Sequence, residues 1–331
     1  MMRVIAVTLS ALLIAGAPSP ALAYLKFAVR VGGNTVDVKW NQRPIQYFVN
    51  ERPAAAVTSN ELAGAIARAF TTWQSVQTAS VSAQFQGLTT VAPGFQDGRT
   101  TFGFLDRPEL NRVLGATSFL LDANTGEIVE ADVFFNTLFP WSTAERGEAG
   151  RVDLESVALH EIGHLLGLGH SALGETEITG TANRRVIASG AVMFPIAMAP
   201  GSVADRVLQP DDIAGISDLY PAGTFRSDSG SISGTVTKNG AGVFGAHVVA
   251  FNARTGRLVG GFALNEQGEF AIGGLMPGTY IVRAEPLDDA DTDSFFSSPI
   301  DVNFRASYAT RVVSVPSGGR SADVNIAVTA K

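Results

Sequence analysis

No cysteine occurs anywhere in the chain. Disulfides and thiolate metal ligands are therefore excluded, and stability has to come from packing or from metals held by other side chains. Histidine is nearly as scarce, with four among 331 residues. Charge is thin as well, at 17% of residues, with a net charge of -7 and no long basic run. An acidic chain without a basic stripe offers nucleic acid nothing to hold. Beyond the first residues no segment is apolar enough to span a membrane. Global disorder is excluded too, because 46% hydrophobic residues can build a core.

The opening residues stand apart. Arg3 precedes an apolar run at 4–17, and Ala21-Leu22-Ala23 has the small-x-small form of a cleavage site. The run is short for a membrane span and is followed by Pro18 and Pro20. Residues 1–23 therefore read as an export signal, with the mature chain starting at Tyr24. A secreted or periplasmic product follows, with no stable membrane insertion after cleavage.

Pattern changes divide the remainder. "FAVRV", "TVDVKW" and "IQYFVN" alternate as half-buried strands do. Thr58-Ser59-Asn60-Glu61 is a capping-box pattern with Val57 as a staple. Leu62, Ile66, Ala69, Phe70 and Trp73 then recur at helical spacing, which predicts an amphipathic helix over 60–76. Short strands return over 80–136, with "DANTG" at 122–126 as a turn. A second helix is expected to begin near 152–154, followed by a Gly/Thr/Ala-rich loop. "QPDDIAGISDLYP" opens with proline and an acidic pair, a good start for a last helix. Residues 223–231 are polar and rich in Gly and Ser, as linkers are. Beyond them nothing reads as helical. Six short strand patterns separated by Gly-rich turns predict an antiparallel β-sandwich over 232–331.

Three of the four histidines fall in "VALHEIGHLLGLGHS", as His160-Glu161-x-x-His164-x-x-Gly167-x-x-His170. Residues i and i+4 share a helix face, so His160 and His164 can aim two imidazoles at one point. Imidazole nitrogen suits Zn²⁺. Glu161 is not needed as a ligand and can serve a water at the metal. On a continuing helix His170 would lie about 9 Å further along the axis, too far to share the ion. The chain must turn back, and Gly167 stands where a positive φ is needed. Three protein ligands with a fourth position open to water mark a catalytic zinc site.

This spacing is the metzincin signature. With "AVMFP" and "LQPDDIAGISDLYP" downstream, residues 24–222 resemble the matrixins, the matrix-metalloprotease-like branch. The resemblance implies an α+β catalytic domain, with a twisted, mostly parallel sheet, an active-site helix, a Met-turn and a C-terminal helix. It implies that Met193 is the Met-turn methionine and that an aspartate of the Asp211-Asp212 pair, taken as Asp211, braces that turn. It also implies that substrate adds as a strand near residues 114–119.

The chain departs from the family pattern in several places. No histidine lies between residues 24 and 159, so a second, structural zinc has no imidazole ligands. Asp122 and Asp132, with Glu127 and Glu130, are the candidate Ca²⁺ ligands instead. The cysteine switch of the animal enzymes is absent. Ala197 stands where many matrixins carry a tyrosine in the specificity pocket. Residues 232–285 resemble carboxypeptidase-regulatory-like, transthyretin-type sandwiches, an accessory domain expected to bind another protein or a surface polymer. His247 within it reads as structural or exposed.

The function expected is that of a secreted zinc endopeptidase acting on a protein or peptide. Zn²⁺ would sit on His160, His164 and His170, with Glu161 as general base. The competing expectation is an exported binding or adhesion protein with a vestigial protease domain. The intact Glu161 argues against it.

Overall fold

Helix α1, Ser59–Gln74, forms where the apolar residues recur at helical spacing. Its N-terminus closes the expected capping box. The Glu61 amide donates to the Thr58 hydroxyl, and the Glu61 carboxylate accepts from the Thr58 amide. Leu62, Ala65, Ile66, Ala69, Phe70 and Trp73 form its buried face. The computed structural model describes residues 4–8, 26–54, 56–178, 184–287, 292–296 and 299–331. The expected export signal lies largely outside the described residues.

The first unit is α+β. One sheet runs in the order Val4–Thr8, Gly115–Asp122, Ile128–Asn136, Thr100–Leu105, Ile45–Asn50 and Ala83–Thr89. Its last four strands pair in parallel. Gly115–Asp122 is antiparallel to both its neighbours. Helix α1 packs against this sheet and against helix α2, Leu154–Leu165. The Trp73 indole N–H donates to the Leu159 carbonyl at 2.9 Å and fixes one helix on the other. Asp153 caps α2 by accepting from the Ser156 amide at 2.9 Å. Helix α3, Pro210–Leu219, closes the unit. The segment expected as a plain loop holds the hairpin Gly174–Ile178 with Arg184–Ser189.

The second unit is two sheets, one built around Gly230–Lys238 and one around His247–Asn252 and Gly278–Glu285. Two expectations change here. The linker is an ordered joint, because Phe225–Asp228 makes a helical turn with Phe225 buried, and the first strand already starts at Gly230. The sandwich also carries one helical turn, Thr292–Phe295. A single turn shows no 3.6-residue repeat, and its Asp/Ser/Thr-rich surroundings read as loop. The two units are packed together. Leu173 and Ala191 of the first meet Val249 and Leu258 of the second. Ala172 lies against a cluster of Phe262, Leu287, Phe295 and Phe296. Among the described residues no helix is long and apolar enough to cross a membrane.

Two predictions follow from this packing. Trp73 is fully buried. Trp73→Ala should cost about 3–5 kcal/mol of unfolding free energy, read from denaturant curves. The second concerns Asp132, buried beneath residues 94–101, where it accepts from the Gly94 and Thr101 amides. Burial, with the charges of Glu130 and Asp97 nearby, pushes its carboxyl from 3.8 up to about 7. Between those values the folded chain holds a proton that the unfolded chain has lost. Its contribution to stability is therefore present at low pH and is lost as pH rises towards 7. Asp132→Asn should flatten part of the fall in melting temperature across that window. Parallel curves for parent and variant would refute it.

Candidate metal centre

Helix α2 carries His160 and His164 one turn apart, and their ring centroids stand 4.7 Å apart. The helix then stops. Its last carbonyls are taken by side chains: the Trp40 indole donates to Leu165 at 2.8 Å, and the Tyr220 hydroxyl donates to Leu166 at 2.7 Å. Gly167 follows with φ +102°. A Cβ there would lie 2.2 Å from the Val38 carbonyl oxygen, so both the conformation and the space require glycine. The chain returns, and the His170 ring comes within 4.8 Å of the His164 ring and 5.5 Å of the His160 ring.

Each histidine has one ring nitrogen engaged. Nδ1 of His160 meets the Val192 carbonyl at 2.8 Å. Nδ1 of His164 meets the Leu168 carbonyl at 2.8 Å, and Nδ1 of His170 meets the Ser294 carbonyl at 2.9 Å. A carbonyl only accepts, so every Nδ1 carries the proton and every Nε2 keeps its lone pair. Burial drives all three pKa values down, that of His160 to about 3. The rings are therefore neutral. Their ligand atoms lie within 4.8 Å of one another, a group that could hold one metal ion. Three neutral imidazoles with oriented tautomers are the donor set that zinc prefers.

Glu161 follows His160 in α2 and is buried. The Thr117 hydroxyl donates to Glu161 Oε2 at 2.7 Å and approaches the Glu161 carbonyl at 3.0 Å. Burial raises the Glu161 carboxyl to about 7. Thr117 was not foreseen, since a threonine in an alternating strand carries no distinguishing pattern.

Met193 is buried beneath α2. A Cβ on Gly163 would lie 2.2 Å from Met193 Sδ, so the glycine inside the helix is what admits the sulfur. That residue also escaped the sequence reading, although a mid-helix glycine is costly and asks for a packing reason. The aspartate under this turn is Asp212. Its carboxylate accepts from the Val192 amide at 2.9 Å, from Met193 at 3.1 Å and from Gln209 at 2.8 Å. The expectation had been Asp211. Asp211 instead accepts from the Ser171 hydroxyl at 2.6 Å and from the Gly260 amide at 2.8 Å. The two side chains diverge because neighbouring residues on a helix point about 100° apart.

Of the candidate calcium ligands, Asp122 stands apart from Asp132, whereas Glu130 and Asp132 both face the loop at residues 94–101. Asp122 Oδ1 accepts from the amide and the side chain of Asn124 within its own turn. Both oxygens of Asp132 and Oε2 of Glu130 accept from backbone amides of residues 94–101. His247 is buried at the junction of the units, with Nδ1 3.2 Å from Glu285 Oε1.

Comparison with known proteins agrees with this geometry. Residues 39–221 match the family model described as Matrixin. Residues 231–294 match the carboxypeptidase regulatory-like domain. Metalloendoproteinase 1-MMP of Arabidopsis thaliana is 31% identical over 206 residues, covering 61% of this chain and 50% of that protein. Metalloendoproteinase 2-MMP of the same plant is 31% identical over 196 residues, covering 55% and 42%. Metalloendoproteinase 5-MMP is 46% identical over 71 residues, covering 21% and 14%. The chain thus spans about half the length of the curated relatives it matches.

The Asp212 bonds lead to a prediction. Asp212 holds Val192, and the Val192 carbonyl holds His160. Asp212→Ala should weaken zinc binding by about 10–100-fold, measured by competition with a chromophoric chelator.

Proposed function

The chain belongs to the matrixin family, and from that premise we propose that it is an exported, zinc-dependent endopeptidase. The observation that carries this reading is the set of three histidines whose Nδ1 protons are all held by backbone carbonyls, with the Glu161 carboxylate buried at their side. His160, His164 and His170 would hold the ion through Nε2. When bound, zinc supplies a Lewis acid that polarises a peptide carbonyl and makes water a nucleophile at neutral pH.

The remaining work falls to side chains. Glu161 takes the proton of the attacking water and delivers it to the departing amine. Thr117 fixes which oxygen is free to do it, since its hydroxyl already occupies Oε2. The carbonyls of Val192, Leu168 and Ser294 hold the rings in place, and Met193 packs against α2 at Gly163.

A peptide substrate would add as a strand to the outer edge of Gly115–Asp122, whose Thr117 reaches Glu161. In the full chain residues 4–8 pair with that edge, Val4 opposite Asp122 through Thr8 opposite Ser118. Cleavage after Ala23, as the leader predicts, would clear it. Export to a periplasm or to the medium is part of the same proposal, resting on the leader at residues 1–23.

The test is Glu161→Gln beside the parent chain. The variant should keep one zinc per chain and lose kcat/KM on a peptide library by about 10²–10⁴-fold. A variant as active as the parent would overturn the role of Glu161. A zinc-loaded parent that cleaves nothing would overturn the peptidase reading.

A further inference from the structure

His170 is the ligand least secured by its own unit. His160 and His164 sit on a helix anchored by Trp73 and Trp40. His170 stands on a return loop, and the partner of its Nδ1 is the Ser294 carbonyl, 124 residues away in the sandwich. The Phe295 ring lies edge-on to His170 at 6.1 Å and rests in turn on Phe262 at 5.5 Å.

The residues after His170 are gripped from the same side. Ser171 and the sandwich residue Gly260 share one carboxylate, Asp211. Ala172 lies against the Phe262, Phe295 and Phe296 cluster. Leu173 packs on Val249 and Leu258. Four consecutive residues of the loop thus contact the second unit directly or through one carboxylate. The first unit holds the later part of this run as well, through the Ser171 amide on the Met193 carbonyl at 2.8 Å, the Gly190 amide on the Leu173 carbonyl at 2.6 Å and the Ser171 hydroxyl on Asp211, whereas the bond recorded for the His170 ring goes to the sandwich.

We propose that the β-sandwich is a built-in part of the metal centre, with Ser294 and Phe295 as positioning residues that set the tautomer and place of His170. This extends the zinc reading and rests on it. A sandwich that only tethered the enzyme to a distant partner would have no need to contact a ligand. Here its helical turn supplies the carbonyl that makes His170 Nε2 a donor. The other two ligands draw their carbonyls from the first unit, so loosening the contact should disturb one ligand of three.

Two full-length variants test it. Phe295→Ala removes the ring between His170 and Phe262. Gly260→Ala places a Cβ 3.2 Å from Leu173 Cγ and 2.8 Å from His247 Nε2, a wedge that does not touch the site. Zn²⁺ affinity is read by chelator competition, with Val312→Ala, exposed in the same unit, as the control. Both test variants should lose at least about tenfold in affinity while the control does not. Co²⁺-loaded variants should show altered visible absorption. In the zinc-loaded parent, NMR should find a slowly exchanging His170 Nδ1 proton that is lost or shifted in the variants, while those of His160 and His164 stay in place.

Affinities of both variants within about twofold of the parent, with the His170 proton unmoved, would overturn the proposal. So would the absence of that proton in the parent, a result that stands even if a variant fails to fold. These readouts concern metal binding alone. A chain that binds zinc and cleaves no peptide would end the peptidase reading and leave this one standing.

Discussion

Everything at the site depends on three hydrogen bonds from imidazole to backbone carbonyl. Histidine offers a metal either of two nitrogens, and an unheld ring would sample both tautomers and several rotamers. The carbonyls of Val192, Leu168 and Ser294 remove that freedom. Each takes the Nδ1 proton, and each thereby turns Nε2 to the centre. Burial then keeps the rings neutral, because a charged imidazole at this depth would lose its hydration and be repelled by charge on its neighbouring rings. Removing the rings from water and aiming their lone pairs are two parts of one device.

Those carbonyls are only as firm as the loops that bear them. Two adjacent aspartates at the start of α3 divide the task. Asp212 gathers three amides and fixes the turn beneath the helix, while Asp211 joins the return loop to the sandwich. Both are buried, and burial raises both carboxyl pKa values, that of Asp212 to about 7. An anion so placed is tolerable because amides and a hydroxyl surround it. Gly163 and Gly167 do the complementary work of absence: one makes room for a sulfur, the other for a carbonyl. A side chain at either would collide with the structure that holds a ligand.

Much of this was legible in the chain. The periodicity of residues 62–73, the Thr58–Glu61 cap and the histidine spacing each depend on neighbours a few residues apart, so local rules reach them. The turn at Gly167 was legible for the same reason. Asp211 and Asp212 could not be told apart, because both open the helix with a charge and only the packing shows where each points. The turn at Thr292–Phe295 was hidden by its length, and Thr117 by its ordinariness.

Sequence alone determined the chemistry of the centre: three imidazoles, a glutamate and a glycine, at distances along the chain that one helix and one turn can bring together. Tertiary structure decided what holds them. The partner of His160 lies 32 residues away, and that of His170 lies 124 residues away in another unit. Those partners are main-chain oxygens, which every residue possesses. A contact to a group common to all twenty residue types leaves no letter in the sequence, so only the folded chain could show that the sandwich reaches the third histidine.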